Sequence, residues 1–433
     1  MSAGSSIARG TLIALACRGL NVAAGLLIVI LVSSDLGKAG YGAFVVGITI
    51  VGVIGALTGG LTAAAGYQIN NQRQPAGAVL TSAGLIGGAL VAVSILVSLA
   101  VRESVSGTAR TIGLEAGIAA GAVIMNGVAS GVLLGQGAMV RYNLALAAPA
   151  VFSLAAVTVA LAVSSSDSAS TALGAFAAGQ WLAFVPTLLA TRTWPSLRSM
   201  DGRLIRIMLG FAGFAALSSG VSYLNYRADI FVVRHWEGDA GVGVYGVAVL
   251  LAEAVWQLSG SIALAAIPQI ASASPDIAAR LTARVMRHTL LILGLACLFV
   301  ALVADVVVQL LFAPEYDAAA TALRILLPGT LIYGLAAAIS GFYTYQRGRP
   351  WLAGIISSTS LVVGISLAFV FVPRWGVNGA ALATSVSYIV AIGAAAAFFV
   401  FENKLPLRTL VRFTAEDLDD YRAFARRITA VLR

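Results

Sequence analysis

The sequence predicts an all-α integral membrane protein, with twelve transmembrane helices in two six-helix lobes related by a parallel repeat. Three observations predict it. Hydrophobic residues fill 59% of the 433 positions and charged residues only 10%, whereas soluble domains carry roughly 25% charged residues. The apolar residues gather into segments of spanning length, and mean hydropathy reaches +0.94. A stretch of the first half also recurs in the second. A core in water cannot absorb this much apolar surface, so the expected solvent is the bilayer.

A spanning helix needs about 20 predominantly apolar residues. Twelve segments meet this: 9–33, 40–66, 79–101, 111–134, 141–163, 171–191, 207–233, 241–267, 285–312, 319–345, 351–372 and 376–401. None shows the alternation over about 10 residues that marks a barrel strand. Lys and Arg then set the orientation. The N-terminus, the even-numbered loops and the C-terminal tail hold 19, counting Arg9, Arg141 and Arg287 at the adjoining span ends; the odd-numbered loops hold 5, and Arg18, Arg227 and Arg324 fall deeper inside spans. Such a bias places both termini in the cytoplasm. The first span follows the N-terminus without an A-x-A-like site, so no cleavable signal peptide is expected. Cys17 and Cys297 sit in apolar runs and read as small buried hydrophobes, not as a disulfide or metal pair. No loop between spans exceeds 17 residues. The function is therefore expected within the bundle.

Residues 36–69 laid over 237–270, a shift of 201 without gaps, give eleven identities in 34 positions. Gly37, Ala39, Gly40 and Gly42 meet Gly238, Ala240, Gly241 and Gly243, and Phe44 meets Tyr245. Six spans per half is an even number, so the halves share one orientation, related by an axis along the membrane normal. The expected organisation is a lobe over 1–191, a linker over 192–206, a lobe over 207–401 and a tail over 402–433. The linker region "TRTWPSLRSMDGRLIR" carries four arginines and a proline, as a cytoplasmic connection or a plain anchoring loop would. In the tail, Thr414 and Asp417 form a capping box. Leu418, Tyr421, Ala425, Ile428 and Leu432 recur at helical spacing opposite arginines, which predicts a basic amphipathic helix on the cytoplasmic leaflet.

Ionisable residues within spans cost about 2.5–3.5 kcal/mol each at mid-bilayer. Arg18, Glu115, Arg227, Asp229, Glu253 and Arg324 are therefore expected to face protein or a wet cavity. In span one, Gly10, Ala14, Arg18, Asn21 and Gly25 share a small and polar face. Arg18 either bonds neighbouring helix carbonyls or lines a cavity. In span seven, Arg227 and Asp229 lie about 200° apart around the helix and serve different neighbours. Arg227 shares a face with Tyr223 and Ser219, and Asp229 with Asn225 and Ser222. Arg227 either lines a cavity or snorkels outward; Asp229 is too short to snorkel and is expected to pair across helices. Glu253, whose repeat mate is Gly52, is either a proton-carrying carboxylate or a structural one. Pro149, Pro186 and Pro328 interrupt spans five, six and ten as hinges or as shape-fitting kinks.

"LGKAGYGAF" (36–44) and "DIFVVRHWEGDAGVGVYGVAVLLAEAVWQLSGSIALAAIPQIA" (229–271) resemble stretches of the Wzx-type O-antigen and capsule polysaccharide flippases. "LFAPEYDAAATALRILLPG" (311–329) and "VPRWGVNGAALATSVSYIV" (372–390) resemble further stretches of that family. The family belongs to the multidrug/oligosaccharidyl-lipid/polysaccharide (MOP) exporter superfamily, with the multidrug and toxin extruders (MATE) and the lipid II flippases. The resemblance implies a V-shaped two-lobe bundle in the bacterial cytoplasmic membrane. It implies a transporter, not an enzyme, without cofactors. The expected substrate is a polyprenyl-diphosphate-linked oligosaccharide, and membrane lipids and a glycan polymerase or export machinery are the expected partners; nucleic acid is not. Arg18 and Arg227 are then expected to hold the diphosphate, and Asn21, Tyr223 and Asn225 to orient the sugar. Asp229 and Glu253 are the expected coupling carboxylates. A cation-coupled drug exporter of the MATE kind is the alternative, and would favour an acidic cavity. A membrane-embedded glycosyltransferase or polymerase would need a large catalytic loop, for which the loops are too short.

Overall fold

The computed structural model describes residues 3–104, 108–164, 168–196, 200–410 and 412. The amphipathic helix expected after 413 lies outside these residues. Among the described residues the regular elements are all helical. In chain order they are α1 (Ala3–Asn70), α2 (Ala76–Ser104), α3 (Thr108–Gly135), α4 (Met139–Val163) and α5 (Ala169–Ala190). Then come α6 (Gly202–Ser272), α7 (Pro275–Leu311), α8 (Ala318–Tyr333), α9 (Ala336–Gly341) and α10 (Trp351–Glu402). A π-helical turn, Phe342–Gln346, follows α9.

Nine stretches of the described residues are long and apolar enough to cross a membrane. Three of the helices that carry them, α1, α6 and α10, each contain one non-helical residue, Gly37, Gly238 and Gly376 respectively. Divided there, the nine become the twelve segments that hydropathy outlines. At Gly37 φ is 62° and ψ 179°; at Gly238 they are 66° and −170°. That corner of conformational space is essentially closed to side-chain-bearing residues. The two glycines are also repeat mates, so both halves bend in the same register.

Around these bends the copies touch reciprocally. Gly42 lies against the carbonyl oxygen of Asp239, and Gly243 against that of Lys38. Lys38 and Asp239 are themselves repeat mates, so the contact has the self-complementary form of a two-fold interface. A Cβ on either glycine would overlap the facing oxygen. The Lys38 amide donates to Glu315 Oε1 at 2.8 Å, which satisfies a backbone donor freed by the bend.

The chain forms two compact units. The first comprises Met1–Arg227, Glu237–Gly243 and Leu311–Glu315; the second comprises Ala228–Trp236, Val244–Leu310 and Tyr316–Arg433. The first unit thus takes in the start of α6, which the sequence groups with the second lobe. The reason is close antiparallel packing on α1. Gly60 meets the Ala212 carbonyl, Leu57 fills the space beside Gly220, and Tyr223 lies on Gly52.

Within the first unit α3 is central, with 72% of its apolar window buried. Its Gly127, Gly131 and Gly135 recur every four residues and meet Thr62 and Ile69 of α1. Small residues permit this backbone approach, which replaces hydrophobic collapse as the packing force in lipid. Leu61, Leu80, Val128, Val132 and Met208 complete that core. The second unit packs Met286, Ile339, Phe342 and Phe399, with the Phe342 and Phe399 rings edge-to-face at 5.1 Å.

Two expectations change in detail. α7 starts at Pro275, ten residues before the expected ninth span. Proline suits a first helical turn, the Ala278 amide bonds the Ser274 carbonyl at 2.8 Å, and Ala278, Ala279, Thr282, Ala283 and Met286 bury one face. α4 and α5 continue through Pro149 and Pro186. α8 likewise continues through Pro328 to Tyr333, and a two-residue turn with helical φ/ψ, Gly334–Leu335, separates it from α9. Cys17 and Cys297 are buried free thiols.

Candidate functional site

The polar residues of the spans fall into three neighbourhoods. The first is on α1. Arg18 is exposed there, one turn from Asn21, whose Nδ2 donates to the Leu146 carbonyl of α4 at 3.3 Å. A Cβ on Gly19 or on Gly25 would meet nothing within 4 Å. The surface of α1 is therefore open at Gly19 and Gly25, on either side of Asn21.

The second is the part of α6 packed on α1. Tyr223 occupies the space a side chain at Gly52 would need. Glycine at 52 and tyrosine at 223 are thus one feature, the ring of one requiring the missing side chain of the other. Arg227, one turn after Tyr223, is half-buried. Asn225 is the anomaly. Both its Oδ1 and its Nδ2 are buried without a hydrogen-bond partner among the described residues. Such a group costs about 1–3 kcal/mol when left unmet.

The third lies in the second unit, around Asp229. Tyr245 Oη donates to Asp229 Oδ2 at 2.5 Å and Thr384 Oγ1 donates to the same oxygen at 3.0 Å. The Ile230 amide donates to Oδ1 at 2.9 Å. α6 supplies the aspartate and the tyrosine from opposite sides of the Gly238 bend, and α10 supplies the threonine. The expected cross-helix pairing of Asp229 thus includes the hydroxyls of Tyr245 and Thr384. Charge-assisted bonds of this kind are roughly twice as strong as neutral ones. A ladder of rings stands in the same unit. Tyr388, one turn after Thr384, lies 4.5 Å from Tyr333, and Tyr333 lies 5.3 Å edge-to-face from Trp256. Glu253, half-buried, precedes Trp256 by one turn of α6. Tyr333 is the last residue of α8, next to the Gly334–Leu335 turn.

Sequence reasoning singled out Asp229 and Glu253 but not Tyr245, Thr384, Tyr388, Tyr333 or Trp256. One signal was present: the repeat aligns Tyr245 with Phe44, so the second half adds a hydroxyl where the first has none. Two further charges have local partners, although Glu115 Oε2 is buried without a hydrogen-bond partner among the described residues. Arg324 forks onto Asp305, Nη1 to Oδ1 at 3.1 Å and Nη2 to Oδ2 at 2.5 Å, and its Nε donates to the Ala301 carbonyl. Glu115 Oε1 accepts from Ser170 Oγ at 2.5 Å.

No family model matches the sequence, and no curated protein matches it. Solved structures do. A multidrug resistance MATE family transporter of the MOP superfamily, in an inward-facing conformation, superposes with TM-score 0.70 at 17% identity, over 91% of this chain and 98% of its own. The lipid II flippase MurJ, in an inward closed conformation, gives 0.74 at 15% identity, over 92% and 89%. A MOP superfamily transporter from Pyrococcus furiosus, for which a reverse polarity of the binding pocket suggests a different function, gives 0.60 at 17% identity, over 91% and 94%. The fold is that of the MOP transporters. The expected fold class stands.

Proposed function

We propose that this multi-pass protein is a flippase. It carries a polyprenyl-diphosphate-linked oligosaccharide from the cytoplasmic to the outer leaflet of a bacterial cytoplasmic membrane, by alternating access of the two repeats, 1–191 and 207–401. Asn225 is the observation that supports this most. A buried carboxamide with both ends unmet suits a ligand that both donates and accepts, as sugar hydroxyls do. Arg18 and Arg227 supply cations for the diphosphate, with Asn21, Tyr223 and Asn225 orienting the glycan. Asp229 and Glu253 are the coupling carboxylates. A flippase of a lipid-linked substrate among the structural neighbours agrees with the substrate class. The test is complementation of a strain lacking its own lipid-linked-oligosaccharide flippase. Arg18→Ala with Arg227→Ala is expected to abolish export of surface polysaccharide; full export by that double variant refutes the assignment.

A second reading, a cation-coupled drug exporter, is favoured by one observation. The Asp229 carboxylate and the rings of Tyr388, Tyr333 and Trp256 are the chemistry that attracts an organic cation. Ethidium efflux that Asp229→Asn abolishes, together with failed complementation, would select this reading.

A further inference from the structure

The first unit holds a hollow of about 400 Å³ that belongs to none of the neighbourhoods above. It lies where the end of α1 and the turn after it meet the start of α6. Its polar wall is Tyr67, Gln68, Gln72, Gln74, Asp201 and Arg203. Leu204 and Ile207, neighbours on one face of α6, are its apolar lining.

The wall is built, not incidental. Gln68 is only 4% exposed although it is polar. The Gln74 amide donates to the Gln68 carbonyl at 3.0 Å, closing the turn that carries Gln72. Arg73, between the two glutamines, adopts a positive φ of 56°, a conformation few side-chain-bearing residues take. Gln72 Nε2 donates to the Tyr67 hydroxyl at 3.1 Å, and the Tyr67 ring is stacked on Phe211 at 5.5 Å. Asp201 Oδ1 accepts from the Arg203 amide at 2.8 Å, which fixes the carboxylate at the rim.

Three carboxamides and a phenol each both donate and accept. One carboxylate and one guanidinium cancel in formal charge, so this is not an anion trap. A volume near 400 Å³ falls in the usual range for small-ligand pockets, about 300–1,000 Å³. A ligand that fits has many hydroxyls or amides, no required charge, and one C–H face for Leu204 and Ile207. We propose that the hollow binds a pyranose sugar, neutral or N-acetylated, at the face that the Lys/Arg bias assigns to the cytoplasm. The sugar has two possible sources with the same chemistry, the glycan of a lipid-linked substrate or a free glycoside. Only the first of these rests on the flippase reading.

The test uses the full chain in lipid nanodiscs and three probes: methyl N-acetyl-β-glucosaminide, a short-chain prenyl diphosphate, and the same prenyl diphosphate bearing N-acetylglucosamine. Saturation-transfer NMR follows the glycoside, and thermal shift follows the lipids. Gln72→Ala with Gln74→Ala is expected to weaken the glycoside and the sugar-bearing lipid about tenfold, the loss of two hydrogen bonds, while the bare prenyl diphosphate is unchanged. Both glutamines are exposed; should the pair misfold, Gln74→Leu alone gives the same reading. A glycoside signal that ignores these changes, or that wild type never shows, overturns the proposal. So does a loss confined to the bare prenyl diphosphate on Arg203→Gln, which would make the hollow a phosphate site. Glycoside binding without any binding of either lipid supports the hollow and overturns the flippase reading instead.

Discussion

Tyr245→Phe isolates one hydroxyl. The ring is fully buried, and its Oη donates to Asp229 Oδ2 at 2.5 Å. Phenylalanine has the same shape, so no cavity opens beyond the lost oxygen, and the repeat already places Phe44 at the matching position of the first half, 3% exposed. What is lost is one hydrogen bond to a charged group, worth about 1.5–3 kcal/mol. Thr384 Oγ1 and the Ile230 amide continue to hold the carboxylate, which sets the expectation toward the lower end. The assay is a double-mutant cycle with Asp229→Asn, read as unfolding free energy of the purified protein in lipid nanodiscs. The Asp229→Asn change keeps the side-chain shape and removes the charge. Tyr245→Phe should then cost clearly less in the Asp229→Asn background, with a coupling energy of about 1 kcal/mol or more. Equal costs in the two backgrounds would refute the reasoning, because the hydroxyl would then be stabilising the fold through something other than Asp229.

Other positions give sharper contrasts. Gly42→Val should destabilise by about 1–3 kcal/mol through overpacking against the Asp239 carbonyl, whereas Gly59→Ala, with nothing within 4 Å of the added carbon, should be neutral or stabilise by up to about 1 kcal/mol; thermal unfolding of both variants checks this. Gly52→Ala should impair polysaccharide export as strongly as Tyr223→Ala, since the methyl displaces the Tyr223 ring; export assays on the two variants decide it, and an active Gly52→Ala protein would remove Tyr223 from the transport set. Arg324→Gln with Asp305→Asn removes the exposed ion pair and both of its charges together, and should leave export in the same assay unchanged.

Much of this fold is legible in the chain because bilayer solvation enforces it. Apolar runs longer than about 20 residues must be helices, and the glycines that end them carry the breaks. Gly37 and Gly238 fall in the gaps that hydropathy leaves between spans one and two and between seven and eight. Gly376 falls at the first residue of span twelve. Less legible is anything set by contacts between helices. The Asp229–Tyr245–Thr384 cluster joins positions up to 155 residues apart, and threonines are common enough that Thr384 carries no mark of its own. The helical start of α7 was hidden for another reason. Arg280, Arg284 and Arg287 lower its hydropathy below that of a span, although Arg287 is only 7% exposed and its Nη1 donates to the Thr409 carbonyl at 2.7 Å. A charge count treats these as loop residues. Only their spacing beside buried alanines betrays a helix face.

The repeat gives a way to separate skeleton from function. α1 and α6 run as helix up to Gly37 and Gly238, so the shift of 201 carries back along both. In that register the shared positions are the bends, Gly37 with Gly238, and the close contacts beside them, Gly42 with Gly243. The polar candidates are where the halves disagree. Asp229 stands opposite Ile28, Asn225 opposite Ala24, Arg227 opposite Leu26, Tyr223 opposite Val22 and Glu253 opposite Gly52; in the other direction, Arg18 stands opposite Ser219. Ile28 and Ala24 are 5% and 2% exposed, so the apolar versions of these sites pack well in the same scaffold. A two-fold scaffold alone needs none of the polar groups, and retaining them costs stability in lipid. The halves should therefore tolerate exchange unequally. Ala24→Asn, which imposes the second half's polarity on the first, should destabilise. Asn225→Ala, which restores the apolar version, should stabilise the fold while lowering export. An Asn225→Ala protein that is less stable and fully active would mean that the buried carboxamide serves packing alone, and the division between skeleton and site would fail at its most exposed point.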